Sequence, residues 1–245
     1  MKVGLFVPCY IDQFYPQVAI ATLQILERLG LAVEYPLNQT CCGQPMANSG
    51  MENEAKPTMQ LLVQNFSKFD YIVAPSGSCV YHVRKHYDIL PQTDEVCHVR
   101  THTYELCEFL TDILKITDLG SSFPFRTGLH QSCHGQRGLR LAQSSEIAGT
   151  PFSKVRRLLE NVQGISLTEL RRTDECCGFG GTFAVSEEAV SVKMGLDRIE
   201  DHIAAGAEVI TGTDTSCLMH LEGLLKRQKR NVRVMHIAEI LNSRA

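Results

Sequence analysis

The residues of this chain best suited to chemistry are two short cysteine motifs. Residues 41–43 and residues 176–178 both read Cys-Cys-Gly. Adjacent cysteines do not readily bond to each other, because the disulfide would close a strained eight-membered ring. A single cysteine precedes each motif and another follows it. We define the first quartet as Cys9, Cys41, Cys42 and Cys79, and the second quartet as Cys133, Cys176, Cys177 and Cys217.

The two quartets belong to an internal duplication. Corresponding cysteines lie 124, 135 and 138 positions apart, and a histidine follows the last cysteine at the same step, as His82 and His220. A further echo matches 102–106 (HTYEL) with 236–240 (HIAEI), 134 positions later. Recurring order and spacing indicate a repeat. We expect two cysteine-rich domains, 1–120 and 121–245, which meet in a turn-rich stretch at 118–124.

Each half alternates short apolar runs with helical patterns, which predicts an α/β fold of two pseudo-repeated domains, each with a mainly parallel sheet flanked by helices. The predicted strands are 2–7, 32–35, 71–74, 96–100, 126–130, 166–170, 208–211 and 233–235. The predicted helices are 16–29, 52–66, 104–110, 151–161, 186–205, 216–229 and 237–241.

This alternation gives the cysteines a location. In the first half, Cys9 follows the first strand, Cys41 and Cys42 lie beyond the second, and Cys79 follows the third. Parallel strands end at one edge of their sheet, where α/β proteins place their ligands. We therefore expect the four thiols to meet in space, and the second quartet to do the same in its own half.

Four thiolates suit an iron–sulfur cluster or a structural zinc ion. Zinc knuckles typically use a Cys-x-x-Cys pair, and this chain contains none. Neighbouring cysteines beside a glycine are able to reach different irons of one cluster, and the glycine allows backbone N–H groups to turn toward sulfur. The pattern favours iron–sulfur, most simply one [4Fe–4S] cluster in each half, and leaves zinc open for one or both sites.

Other candidates surround the quartets. His82 and His220 stand on the first turn of a predicted helix, three residues after a cysteine, and His134 adjoins Cys133. We interpret these three histidines as extra ligands or as hydrogen-bond partners of the sulfurs. The two remaining cysteines, Cys97 and Cys107, are expected to be buried core residues, because free cysteine is commonly buried.

The bulk properties exclude several functions. A net charge of −3 is not that of a nucleic-acid-binding surface. No uncharged stretch is long enough to span a membrane, and the first residues do not resemble a signal peptide. Ten cysteines in such a chain indicate metal binding or redox work in the cytoplasm rather than a disulfide framework.

These motifs resemble a known family along the whole chain. The paired pattern looks like the CCG domain pair of heterodisulfide reductase and of the iron–sulfur subunits of glycolate oxidase and anaerobic glycerol-3-phosphate dehydrogenase. The resemblance to the lactate-utilization protein A family is closer. It is carried by VGLFVPCY, TCCGQPMANSG, ECCGFGGTFAV (175–185), TSCLMH (215–220) and HIAEIL (236–241).

The resemblance implies an iron–sulfur electron-transfer subunit of a complex that oxidises L-lactate to pyruvate, with two sister subunits as partners and the eight quartet cysteines as cluster ligands. One departure from the heterodisulfide reductase motif concerns its terminal Cys-x-x-Cys, where this chain has His82 and His220. A zinc-binding scaffold subunit and a thiol–disulfide reductase are the alternatives. No arginine clamp or flavin fingerprint indicates catalytic residues, so these are not assigned.

Overall fold

The protein contains two parallel four-stranded sheets, as a computed structural model of residues 1–244 shows. In the first half the elements are β1 (Lys2–Leu5), α1 (Cys9–Phe14), α2 (Pro16–Arg28), β2 (Ala32–Glu34), α3 (Gln44–Asn48), α4 (Glu52–Phe66), β3 (Tyr71–Ala74), α5 (Gly77–His86), α6 (Asp94–His102), β4 (Thr103–Glu105) and α7 (Leu106–Glu108). The second half has β5 (Arg126–His130), α8 (Lys154–Leu159), β6 (Ser166–Leu167), α9 (Phe183–Ser186), α10 (Glu188–Ala204), β7 (Val209–Gly212), α11 (Thr215–Arg227), β8 (Arg233–His236) and α12 (Ile237–Asn242). Short turns at Tyr87–Ile89 (3₁₀), Phe109–Ile113 (π) and His134–Gly138 (π) join them.

The two sheets have the same topology. Their strand orders are β2-β1-β3-β4 and β6-β5-β7-β8, and every pairing is parallel. Helices connect the strands, as parallel pairing requires. The predicted α/β fold with two pseudo-repeated parallel sheets is confirmed. Within residues 1–244, no helix combines the length and the apolar character needed to cross a lipid bilayer.

The prediction of a strand at 96–100 is wrong, because this stretch lies inside α6. The Thr93 side chain caps the helix by accepting a hydrogen bond from Val96 N–H at 3.4 Å. Val96 and Val99 bury one face at helical spacing. The strand β4 begins only at Thr103. A short apolar run is ambiguous between strand and helix, and here the cap decides it.

The sequence match between 102–106 and 236–240 is shifted by three residues from the match that the strand pairing gives. Ala74 pairs with Glu105 in the first sheet, and Gly212 pairs with His236 in the second. Glu105 therefore corresponds to His236, 131 rather than 134 positions later. Both residues cap the helix that follows them, since Glu105 accepts from the N–H of Cys107 (2.7 Å) and His236 Nδ1 accepts from a backbone N–H (3.1 Å).

The halves share a continuous apolar core, which contains buried residues from both sheets. The last helix, α12, leaves its own half and packs on α2. Arg28 of α2 donates hydrogen bonds to Asn242 Oδ1 (3.2 Å) and to the Leu241 carbonyl (3.3 Å). This packing holds the two sheets in one relative orientation.

Glu105 is expected to make the stability of the fold depend on pH. Burial raises its pKa from 4.5 to about 8, while the unfolded chain ionises it near 4.5. The folded state therefore binds an extra proton between these values, and stability falls as pH rises through this window. In Glu105→Gln, which preserves the capping oxygen, we expect the loss of unfolding free energy between pH 5 and pH 8 to shrink by about 2–4 kcal/mol.

Urea unfolding at pH 5, 6.5 and 8 measures this difference. The remaining titrating groups are common to both proteins, so only Glu105 contributes to the change between them. Unfolding free energies that vary in parallel for the wild type and the variant would contradict the prediction.

Candidate metal centre

The first quartet assembles at the carboxyl edge of the first sheet. Cys9 begins α1 just after β1, Cys41 and Cys42 occupy the loop after β2, and Cys79 lies in the first turn of α5. The Cys9 thiol donates to Cys41 Sγ at 3.6 Å, and Cys42 interacts with both Cys41 and Cys79. The structure thus brings together four thiols that span 71 positions of sequence.

The second quartet repeats this arrangement. Cys133 follows β5, Cys176 and Cys177 lie in the loop after β6, and Cys217 stands in the first turn of α11. Cys176 interacts with Cys133 and Cys177, and Cys177 also interacts with Cys217. The order of neighbours is the same as in the first quartet.

The glycine of each CCG motif aims a backbone donor at sulfur. Gly43 and Gly178 have φ values of +89° and +86°, in the left-handed region that favours glycine. In this conformation Gly43 N–H donates to Cys41 Sγ at 3.4 Å, and Gly178 N–H donates to Cys176 Sγ at 3.3 Å. The third letter of the motif therefore supplies the hydrogen bond that the sequence pattern predicts.

The first cysteine of each CCG motif favours the thiolate form. Interaction with the thiols of Cys42 and Cys9 lowers the pKa of Cys41 to about 3. A corresponding pair of thiols, led by Cys133, lowers the pKa of Cys176 to about 2. The pKa of Cys9 is raised in turn, because its proton is held by the Cys41 sulfur and because it is partly buried. Each site is therefore an electron-rich sulfur cluster, suited to a metal cation.

Both quartets open onto one cavity of about 360 Å³ between the repeats. Seven of the eight quartet cysteines line it, all except Cys41. Hydroxyl groups from both halves and one carboxylate lie between them: Ser76, Ser78, Ser132, Thr215, Ser216 and Asp214. Because parallel strands end at one edge of their sheet, the sequence places each quartet at the edge of its own sheet. It does not predict that the two edges face each other.

Asp214 connects the two halves inside this cavity. Its Oδ1 accepts hydrogen bonds from Ser78 N–H (2.8 Å) and Ser76 Oγ (3.1 Å), at the start of α5 in the other repeat. It makes no side-chain cap on its own helix, α11. Its position corresponds to Ser76, which caps α5 by accepting from Cys79 N–H at 3.3 Å. Asp214 therefore stabilises the juxtaposition of the two quartets.

Replacing Asp214 is expected to weaken this junction. In Asp214→Ala the Ser78 N–H and the buried Ser76 hydroxyl lose their charged acceptor, so we expect a loss of about 1–3 kcal/mol of unfolding free energy. Asp214→Asn retains an acceptor oxygen and is expected to lose less. Urea unfolding of the three proteins measures both values, and equal stability of wild type and Asp214→Ala would contradict the role.

The three predicted histidines lie around the quartets. His82 is buried, stacks on His86 at 5.3 Å between ring centroids, and has its pKa lowered to about 4 by burial. His220 places Nε2 3.3 Å from the Ser191 carbonyl, and burial lowers its pKa. His134 lines the cavity and packs against Tyr81, with 5.2 Å between ring centroids. A role as extra ligands or as hydrogen-bond partners of the sulfurs remains the prediction for all three.

A fourth histidine, His130, lies beside two sulfurs of the second quartet. A ring nitrogen of His130 and the Sγ atoms of Cys177 and Cys217 all lie within 4.8 Å of one another. His130 ends β5, it is buried, and its pKa falls to about 3 because burial and the nearby charge of Arg198 disfavour the imidazolium. The sequence interpretation missed it, although the 124-position offset aligns it with Phe6 in the first half.

The two cysteines outside the quartets differ. Cys107 is fully buried, as expected for a core residue. Cys97 is exposed, so its assignment to the core is wrong. Residues 96–100 belong to a helix and not to the predicted strand, and in this helix Cys97 lies off the buried face formed by Val96 and Val99.

Comparison with known proteins agrees with the duplicated geometry. The family described as CCG, cysteine-rich domain, matches residues 3–84 and 127–222, one match in each half. Among solved structures, glutamate racemase RacE1 from Bacillus anthracis covers 98% of this chain and 78% of its own at 10% identity, with a TM-score of only 0.35.

Full-length relatives share far more sequence. Lactate utilization protein A from Geobacillus sp. (strain WCH70) is 42% identical over 249 residues and is covered completely, as is this chain. Lactate utilization protein A from Bacillus thuringiensis (strain Al Hakam) is 40% identical with the same complete coverage. With two cysteine-rich CCG domains and this identity over its whole length, the chain belongs to the lactate utilization protein A family.

Proposed function

We propose that this chain is the iron–sulfur electron-transfer subunit of a multi-subunit system that oxidises L-lactate to pyruvate. The observation that carries the proposal is the pair of cysteine quartets that face each other across one cavity. The names of the full-length relatives supply lactate utilization as the process. Free thiols at all ten cysteines fit a reducing compartment such as the cytoplasm.

The arrangement of the donors fits an iron–sulfur cluster. A single tetrahedral zinc with Zn–S bonds of about 2.3 Å needs its donors within roughly 4 Å of one another. In the part of the chain that the structure describes, the one group of three or more donors within 4.8 Å is His130, Cys177 and Cys217, so no three sulfurs of the first quartet are so compact. The four free thiols of each quartet together supply the number of thiolate ligands that a [4Fe–4S] cluster takes.

The surroundings of the sulfurs suit the same group. Gly43 and Gly178 donate backbone N–H groups to sulfur, which offsets negative charge. Val80 and Leu218, each next to the last cysteine of a quartet, are buried and limit water. A bound cluster would accept and release single electrons.

The cavity itself is poorly suited to hold lactate. Among the described residues that line it there is no arginine or lysine, and Asp214 adds negative charge. A lactate carboxylate would find no arginine or lysine partner among the described residues there. We therefore place lactate oxidation on a partner subunit, with this chain receiving the electrons. The specific partner is defined by this chemistry: a subunit that takes a hydride equivalent or two electrons from lactate.

Metal and sulfide analysis of anaerobically purified protein tests the proposal. Two [4Fe–4S] clusters predict about eight irons and eight acid-labile sulfides per chain, with an electron paramagnetic resonance signal after reduction. Protein that takes up no iron during anaerobic reconstitution with iron and sulfide would rule the proposal out.

A zinc ion in the second half is the second candidate. It is favoured by the compact group of His130, Cys177 and Cys217, because imidazole and thiolate are ordinary zinc ligands. This alternative predicts one zinc per chain, lost in His130→Ala and retained in a variant of the first quartet such as Cys79→Ser. Iron content would then come from the first half alone.

A further inference from the structure

Two thiols of the first quartet lie in direct contact. The Cys9 thiol donates to Cys41 Sγ at 3.6 Å, and a disulfide requires the two sulfurs to approach to about 2.0 Å. A rotation of both side chains with a small shift of the loop closes this gap of about 1.6 Å. The neighbouring pair Cys41 and Cys42 is less suited to the same bond, because adjacent cysteines close a strained ring.

Gln39 holds the two thiols together through protein groups alone. Its side chain lies two residues before Cys41 and reaches back to the end of β1. There Oε1 accepts a hydrogen bond from Val7 N–H at 2.8 Å, and Nε2 donates to the Leu5 carbonyl at 3.1 Å. Cys9 follows Val7 by two residues. The two hydrogen bonds therefore fix the loop after β2 against the chain that carries Cys9.

The same two cysteines are the accessible members of the quartet. Cys9 and Cys41 are half-buried, whereas Cys42 is 2% exposed and Cys79 is 8% exposed. Oxidation of a cysteine depends on exposure of its sulfur to the oxidant. A small molecule such as hydrogen peroxide therefore reaches Cys9 and Cys41 first. Contact and access together select one pair out of the four thiols.

A contact of this kind allows oxidation by a peroxide in two steps. In the first, one thiol of the pair gives two electrons to the peroxide, becomes a sulfenic acid and releases one water. In the second, the other thiol attacks the sulfenic sulfur, which forms the S–S bond and releases a second water. Two molecules of a low-molecular-weight thiol reverse the bond by exchange and leave as their own disulfide.

We propose that Cys9 and Cys41 are an oxidation site: in metal-free protein a peroxide joins them in a reversible disulfide, which blocks loading of the first quartet. The bond takes two of the four sulfur donors, so Cys42 and Cys79 alone are too few to hold a [4Fe–4S] cluster. This consequence rests on the proposed iron–sulfur function, whereas formation of the disulfide does not.

Peptide mapping of the full chain tests the bond directly. Protein freed of metal and of reductant is treated with hydrogen peroxide, alkylated, digested with trypsin and analysed by mass spectrometry. Cys9 is the single cysteine of peptide 3–28, and Cys41 and Cys42 share peptide 29–68. We expect these peptides to be linked in the wild type and in Cys42→Ser, and separate in Cys41→Ser and after reduction. A Cys9 thiol that is still alkylated after oxidation, or that is linked to another cysteine, would overturn the proposal.

Gln39→Ala isolates the contribution of the loop, since it keeps every cysteine and removes both hydrogen bonds to the end of β1. We expect the disulfide to form about tenfold more slowly, because displaced groups lose effective concentration. The control is Cys97→Ser, an exposed position outside both quartets, which is expected to form the link at the wild-type rate. Equal rates in the wild type and in Gln39→Ala would show that the loop does not preorganise the pair.

Iron uptake measures the consequence of the bond. In anaerobic reconstitution without a thiol reductant, the oxidised protein is expected to lack the iron of the first site, about four atoms per chain. Treatment with dithiothreitol before reconstitution is expected to restore it. Equal iron uptake by reduced protein and by protein with the mapped link would overturn the block. Wild-type protein that takes up no iron in either state would instead overturn the proposed function, and the mapped disulfide would stand.

Discussion

Cys177→Ser is expected to lose about half of the bound iron and sulfide, because the second quartet loses its central sulfur. Cys177 is 2% exposed and interacts with both Cys176 and Cys217, so its thiol joins the two ends of the quartet. Serine hydroxyl does not ionise at neutral pH and is a poor iron ligand beside thiolates. Iron analysis after anaerobic reconstitution measures the loss, and the resonance signal of the first site is expected to remain.

The matched control is Cys97→Ser, which changes an exposed cysteine outside both quartets. It is expected to retain the iron content and the unfolding free energy of the wild type, since an exposed substitution away from structural features costs little. Full iron retention in Cys177→Ser, or equal loss in both variants, would show that the second quartet is not the binding site.

Gly178→Ala is expected to destabilise the protein by about 2–4 kcal/mol, which makes it the most damaging small substitution in the site. The backbone at Gly178 has φ of +86°, and an added Cβ would lie 2.6 Å from the Ser191 carbonyl oxygen and 2.8 Å from Met194 Cβ. The backbone oxygen cannot move aside without shifting α10. Any shift of the loop also withdraws the Gly178 N–H from Cys176 Sγ.

Gly43→Ala provides a matched comparison in the first repeat. Its φ is also left-handed, but the nearest atom to an added Cβ is Met59 Cγ at 3.3 Å, on a flexible side chain. We expect a loss of about 1–2 kcal/mol, mainly from backbone strain. Urea unfolding of the apo-proteins measures both variants, and an undiminished stability of Gly178→Ala or a larger loss in Gly43→Ala would contradict this interpretation of the two loops.

The sequence was sufficient for the parts of the fold that depend on local pattern. The helix at Glu52–Phe66 and the strands at Tyr71–Ala74 and Arg126–His130 have the predicted bounds, because long periodic or compact apolar runs end at clear turn residues. The meeting of the four thiols of each quartet also follows from sequence, since one topological rule brings strand ends together.

The shared cavity was not predictable, because it depends on how the two sheets are oriented. That orientation rests on long-range contacts, such as α12 packing on α2 and Asp214 bonding to Ser78, which no local pattern encodes. His130 was missed for a different reason. The aligned position in the first half holds Phe6, so the repeated cysteine and histidine pattern does not mark His130.

Iron-edge anomalous diffraction from crystals grown without oxygen tests the central claim most directly. We expect two iron centres per chain, one at Cys9, Cys41, Cys42 and Cys79 and the other at Cys133, Cys176, Cys177 and Cys217, both beside the same cavity. Strong anomalous signal at the zinc edge with none at the iron edge, or iron bound away from these sulfurs, would contradict it.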